Sequence, residues 1–319
     1  MMDIIELLVE NKADGKMYEI SEIVTDISFS DRLNNGCSKL DFSYFYDGVL
    51  FANGSAVRFK YNNTNIFYGY IFSSEREQNN AVSVVAYDQL RYLKAKDTFV
   101  VKDLRVDELI QRIANYFKIR VGKLDNTGYK LPTSIKDNQT FLDMIYDSIS
   151  TTLIGTGRKY AFYDNFGSLA LTDIMNMRLP LVIGDESLAY GYKYGQSIDE
   201  NTYNLIKISK DNETTGKRDV YIAQDSSSFS KWGILQYYET ADKNATPEQI
   251  KAKVNALLKL MNSETKTLSV EALGDTRIRA GSGILVNISD LGINQYVIVN
   301  SCKHTIKNNI HTMSLELML

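Results

Sequence analysis

The sequence predicts a multi-domain, mainly β protein with an α+β insertion, in which two related β-barrel-like domains occupy the two ends of the chain. Three observations lead there. At both ends apolar residues alternate with mostly polar ones. Leu40, Phe42, Tyr44 and Tyr46 are interleaved with Lys39, Asp41, Ser43 and Phe45; Met313, Leu315, Leu317 and Leu319 with Thr312, Ser314, Glu316 and Met318. A period of two is that of a strand with one buried face. In the middle the period changes to three and four, that of a helix. Finally, 21 tyrosines stand beside 13 phenylalanines and only 3 prolines, a composition suited to half-buried sheet faces and protein interfaces.

Residues 1–95 read as the first barrel-like domain. Ile4 to Val9 is its first strand and Asp14-Gly15 a turn; Met17 to Ile20 and Ile23 to Phe29 follow as short strands. Asn34-Asn35-Gly36 and Asn53-Gly54 are turn signals, and Asn62 to Asn65 closes a hairpin between the aromatic strands of Val57-Phe59-Tyr61 and Ile66-Tyr68-Tyr70-Phe72. Val82, Val84 and Ala86 complete the set. The pattern stops near Leu93, where Lys94, Lys96 and Asp97 interrupt it.

Residues 96–180 read as an α+β inserted domain. Val106, Leu109, Ile110, Ile113 and Phe117 line one helix face, with Asp103 as the expected N-cap. Thr140 opens a second helix, supported by Asp143 and stopped by Gly155 and Gly157. Tyr160–Tyr163 and Leu169–Thr172 form a hairpin across Asp164-Asn165-Phe166-Gly167, and Pro180 marks the far edge.

Residues 181–264 read as a β-rich segment with one helix, partly completing the barrels. Its strands are Tyr190-Tyr192-Tyr194, Asn204 to Ser209, Val220 to Ala223 and Trp232 to Leu235, with a polar turn at residues 212–216 and a loop at Asp225-Ser226-Ser227-Ser228. Thr246-Pro247-Glu248-Gln249 is a complete helix start: a capping hydroxyl, a proline where no N–H is needed and a capping-box Gln249. The stripe of Ile250, Val254, Leu257, Leu258 and Met261 is read as packing on the chain's own sheet. Residues 265–319 read as the second barrel-like domain, whose last strand is tied into a sheet.

Composition limits the function. With 319 residues, about two to four domains are expected. A net charge of −3 without any Lys/Arg run gives no support for nucleic-acid binding. No apolar stretch reaches bilayer length, so no membrane segment is expected, and Met1-Met2-Asp3-Ile4-Ile5-Glu6 lacks the basic start of a secretion signal. Cys37 and Cys302 are read as reduced thiols buried in strands.

The sequence holds no complete set of catalytic or metal-binding residues. His304 and His311 flank a turn at Asn308-Asn309, and a hairpin would bring them together. Two histidines with no carboxylate between them do not make a metal site, and they are read as polar strand or rim residues. Gly281-Ser282-Gly283 is a turn before the Ile284 strand rather than a nucleophile elbow. Asp225 with Ser226–Ser228 could bind phosphate or metal, but a loop that bonds to itself explains it equally. No phosphate loop, dinucleotide fingerprint or calcium loop is present. The residues by themselves point to no catalytic group, cofactor or metal.

Three stretches carry a family resemblance. They are Ile27 to Tyr46 with the strands that follow, ending in Val82-Ser83-Val84-Val85-Ala86-Tyr87-Asp88-Gln89-Leu90; Ser228-Phe229-Ser230-Lys231-Trp232-Gly233-Ile234-Leu235; and Arg279 to Leu319, with Gly281 before the barrel strand and His304 and Met313 within it. In this order they resemble the baseplate hub proteins of contractile phage tails and phage-tail-like particles, of the Gram-positive prophage type in the late control protein D superfamily. One departure is Ala280 before Gly281, where relatives more often have proline; it alters a turn only. The resemblance implies a structural protein and no enzyme. It implies a homotrimeric ring with a central channel that adapts the hexameric tail tube to the trimeric central spike, with a baseplate wedge or LysM-type baseplate protein outside. It also implies assembly in the bacterial cytoplasm and residence in the baseplate of a phage, tailocin or other bacteriocin. Two alternatives stand beside it. A tail-associated cell-wall hydrolase would need converging titratable groups in a pocket, and a carbohydrate- or receptor-binding module would need aromatics clustered in a groove. A tube protein, with one barrel per subunit, is a weaker third.

Overall fold

The computed structural model describes residues 4–185, 187–199, 201–212, 215–243 and 245–319. Seven strands come first: β1 (Ile5–Glu10), β2 (Met17–Glu19), β3 (Val24–Arg32), β4 (Lys39–Phe45), β5 (Ala56–Tyr61), β6 (Thr64–Arg76) and β7 (Ala81–Tyr87). They pair antiparallel in the order β3-β4-β7-β6-β5-β1-β2. The alternation read in the sequence sets the faces: Leu40, Phe42, Tyr44, Val57, Phe59, Tyr61, Val82, Val84 and Ala86 all point into one core. The β5–β6 turn places Asn62 and Asn63 at φ +48° and +62°, the left-handed pair a tight hairpin of this hand requires.

The insertion follows, with β8 (Lys96–Val101), α1 (Val106–Phe117), β9 (Val121–Leu124), β10 (Ser134–Thr140), α2 (Phe141–Thr156), β11 (Tyr160–Asp164) and β12 (Leu169–Asp173). Strands β11-β12-β9 form a small sheet and β8 pairs with β10. Both helices pack into a second core, which also takes in Leu90 and Leu93 from a short helix after β7. Several details differ from expectation. The N-cap of α1 is Arg105, whose N–H is accepted by Glu108 Oε2 at 2.8 Å, while Asp103 lies outside the helix at φ +55°. Gly155 lies within α2, where a Cβ would strike the Tyr129 ring; Gly157 alone caps it, at φ +73°. The β8–β10 pair, rich in lysine and polar residues, gave no period-two signal.

Next come β13 (Arg178–Gly184), β14 (Ala189–Ser197), β15 (Leu205–Asn212), β16 (Lys217–Gln224), the single turn α3 (Phe229–Trp232), β17 (Gln236–Thr240) and α4 (Pro247–Met261). Pro180 lies inside β13 rather than at an edge of the insertion. The β13–β19 ladder skips from Arg178 to Val182 around it, because proline has no N–H to give. Trp232 ends α3 and Gly233 turns the chain at φ +74°, so the strand expected at Trp232–Leu235 begins instead at Gln236. The turn expected at 212–216 includes residues 213–214, which lie outside the described residues; Gly216 N–H donates to Asn212 O across it. Strands β16-β15-β17 form a separate sheet covered on one face by α4 through Ile206, Ile208, Ile250, Val254 and Leu257. They do not enter either barrel. The capping box of α4 is formed as expected, with Thr246 and Gln249 bonding reciprocally.

Strands β18 (Thr265–Leu273), β19 (Gly283–Ile288), β20 (Ile293–Lys307) and β21 (Ile310–Met318) close the chain. With β13 and β14 they form the second barrel-like wall, in the order β13-β19-β20-β21-β18-β14, around Leu268, Val270, Ile284, Val286, Val299, Met313 and Leu315. The two walls are one sheet. At 15 residues, β20 spans roughly 50 Å. Its first part pairs with β19, and Ser301–Lys307 pairs with β3 of the first barrel. The result is a sheet of 13 strands running through both ends of the chain.

Candidate functional site

The joint between the barrels is where the chain's parts are held in register. Residues paired across antiparallel strands share a face, so the pairings Cys302↔Asp31 and His304↔Phe29 bring a carboxyl, a thiol and an imidazole to one side of the β20–β3 seam. Asp31 is buried and accepts the Ala280 N–H at 3.1 and 3.2 Å. Burial pushes its carboxyl above the usual range, opposed by Arg279, the Ala280 N–H and His304. The Arg279 guanidinium lies 3.6 Å from Asp31 Oδ2 and 3.7 Å above the Tyr163 ring, and it donates to Asp164 O at 3.4 Å. One arginine of the second barrel therefore touches both the first barrel and the insertion. Its planar, delocalised charge suits the double role of ion pair and ring stacking.

The loop between β3 and β4 makes the third attachment. Asn34, at φ +50°, donates Nδ2–H to Tyr160 O at 2.7 Å and accepts the Phe162 N–H at 2.8 Å, standing in for a strand partner along β11. Tyr146 of α2 donates its hydroxyl to Gly36 O at 2.7 Å. Asp88 accepts the N–H groups of Ser38 and Leu90 at 2.8 and 2.9 Å, and Gln89 donates to Asp164 Oδ2 at 3.1 Å. Burial, reinforced by the nearby Asp164, pushes Asp88 up to about 8; burial pushes Asp164 up to about 6. The turn at Asn34-Asn35-Gly36 and the Tyr87-Asp88 pair were visible in the sequence. Their joint role was not, because the partners lie 50 to 128 residues away.

His304 and His311 do meet, with Nδ1 and Nε2 2.9 Å apart. Both are strand residues, His304 in β20 and His311 in β21, and His304 is buried at the barrel joint. Cys302 is buried in β20 as expected, whereas Cys37 is half-buried in the β3–β4 loop and not in a strand; both are free thiols. Burial raises both, Cys37 to about 11, which disfavours the thiolate needed for reactivity. Asp225 accepts Ser227 N–H of its own loop at 3.0 Å and also Asn262 Nδ2–H, from the end of α4, at 2.7 Å. Gly281 turns at φ +91° just before β19. Among the described residues no three His, Cys, Asp or Glu side chains gather as a metal site, and no helix is long and apolar enough to cross a membrane.

Apolar side chains are also left on the outside. Tyr190 and Tyr192 on β14, Val220 and Ile222 on the open face of the β15–β17 sheet, and Val100 paired with Ile135 are exposed. A groove of about 680 Å³ separates the insertion from α4, lined by Leu131, Ile135, Ile154, Ile208 and Ile250. On the outer face of β6, Tyr68, Tyr70 and Phe72 run into Tyr92 of the short helix after β7 and Phe166 of the insertion.

Comparison with known proteins agrees with this architecture. A family model described as YQBQ-like matches residues 27–318. The uncharacterized protein YqbQ of Bacillus subtilis strain 168 is 33% identical over 273 residues, covering 84% of this chain and 82% of the relative. The phage-like element PBSX protein XkdQ of the same strain is 29% identical over 271 residues, with the same coverage. Among solved structures, the 43 kDa tail protein of prophage MuSo2 from Shewanella oneidensis superposes with a TM-score of 0.73 over 99% of this chain and 98% of that one, at 12% identity. At that identity the likeness is one of fold.

Proposed function

The chain belongs to the YQBQ-like family, and from that premise we propose that it is a structural protein of a phage tail baseplate that acts as the hub. In this reading three copies form a ring around an open channel. Each copy supplies two barrels, so three copies offer six docking surfaces to a hexameric tail tube above while keeping threefold symmetry for the central spike below. The observation that carries the proposal is the β3–β20 seam, reinforced by Asp31 and Arg279. It joins two barrel-like walls into one sheet, so that each chain presents two barrels in a fixed mutual orientation. The insertion and the β15–β17 sheet with α4 lie outside that sheet. In this proposal they face outward, toward a baseplate wedge or LysM-type protein. The particle is a contractile tail or a tail-like bacteriocin, built in the bacterial cytoplasm.

The role is positional, so no catalytic residue, cofactor or metal is proposed. A reconstruction of the assembled tail end without imposed symmetry tests the reading. Three copies in a ring at the junction of tube and spike are expected. Six equivalent copies, or one copy off the axis, would overturn it, as would cell-wall cleavage that survives rigorous purification.

A further inference from the structure

The loop from Gly274 to Ser282, between β18 and β19, is pinned to both barrels. Gly274 N–H donates to His311 O at 2.9 Å, and the His311 ring occupies the space that a Cβ on residue 274 would fill. Ile278 O lies 2.9 Å from His304 Nε2, and the Ala280 N–H is held by Asp31. A backbone carbonyl only accepts, so His304 carries its proton on Nε2. Its Nδ1 then offers a lone pair, and His311 Nε2, 2.9 Å away, supplies the N–H. The two rings share one N–H···N bond that requires one facing nitrogen to stay unprotonated.

Doubly protonated, the pair would set two N–H groups and two positive charges face to face in a site where His304 is 6% exposed. The surroundings offer little relief. From β3 comes Asp31, engaged by Arg279; from the loop itself comes Asp275, engaged by Arg277. From β20 comes the neutral Cys302 thiol, and Tyr61 of β5 packs its ring 4.8 Å from His311. A cavity of about 190 Å³ beside both histidines gives a displaced ring somewhere to go.

We propose that the His304–His311 pair is an acid-sensitive clasp on this loop, and through it on the joint between the barrels. With at most one shared proton it holds the Gly274–Ile278 end down; fully protonated, it releases that end while Asp31 keeps Ala280. The direction agrees with His304, which burial holds below its ordinary value. A histidine lowered in this way contributes stability above its unfolded value, and that contribution is lost as pH falls from about 6.5 through the folded value. Asp31, Asp88 and Asp164, raised by burial, change stability in the opposite sense, so the readout must be local.

The experiment is hydrogen exchange of residues 274–282 in the full chain, corrected for intrinsic rates, together with nitrogen NMR of the histidine side chains, from about pH 7.5 to about pH 5. The Nε2–H form of His304 is expected at neutral pH, with protection of the loop falling about tenfold or more in acid. His311→Gln should abolish that fall, since its amide donates to Nδ1 and, flipped, accepts from it. An Nδ1–H tautomer for His304, pH-independent protection, or an equal fall in His311→Gln would overturn the proposal. Should that variant not fold, the wild-type titration decides: two histidines titrating independently would refute the clasp, and coupled titration would support it.

Discussion

Asp31 and Ala280 lie 249 residues apart, one in each barrel, and both carboxylate oxygens of the first accept the N–H of the second. The contact ties the turn before β19 to β3 alongside the strand pairing of the seam. It also places the Arg279 guanidinium, next in the chain, between Asp31 and Tyr163. The joint is therefore more than a ladder of backbone bonds, and its side chains can be removed one at a time.

Replacing Asp31 separates charge from hydrogen bonding. Asp31→Ala strands both the Ala280 N–H and a mostly buried Arg279, and is expected to cost about 2–4 kcal/mol. Asp31→Asn keeps an acceptor for Ala280 and removes a carboxylate that burial disfavours, so its cost should be about 1 kcal/mol or less. Urea denaturation at neutral pH measures both. Equal losses for the two variants would show that the ion pair, not the Ala280 bond, dominates the contact.

The buried acids make an opposite claim about pH. Burial pushes Asp88 up to about 8 and Asp164 up to about 6, above the ordinary carboxyl value of about 3.9. The folded chain thus binds more protons than the unfolded one between those limits. Their contribution is complete below about 3.9 and is lost as pH rises toward about 8. Asp88→Asn, which cannot ionise, should flatten the decline in melting temperature between about pH 6 and pH 8.5. An unchanged slope would mean that Asp88 stays ionised throughout.

Gly184 is the most constrained glycine of the second barrel. It sits at φ +146° at the end of β13, and a Cβ there would overlap the backbone of Asn287 on the parallel partner β19. Gly184→Ala should detach the end of β13 and destabilise the chain by about 2 kcal/mol or more, since backbone cannot move aside as a side chain can. Gly191→Ala, where a Cβ meets open space, is the control and should cost well under 1 kcal/mol. Thermal melting of the two variants side by side checks the contrast.

The sequence alone determined which faces of most strands and helices are buried. Leu40-Phe42-Tyr44, Met313-Leu315-Leu317 and the stripe of α4 all point where their periods said, and the hairpin at Asn308-Asn309 brought its two histidines together. These are short-range facts: a period of two or of 3.6 depends only on residues a few positions away. The tertiary structure alone decided that β20 continues from one barrel into the other, that β13 and β14 belong to the second wall while β15–β17 do not, and that the insertion is clamped by Asn34, Gln89 and Arg279. Strand order is set by contacts between segments far apart in the chain. Buried polar side chains such as Asp31 are stable only because a distant donor meets them; nothing in the residues around position 31 announces the N–H at position 280.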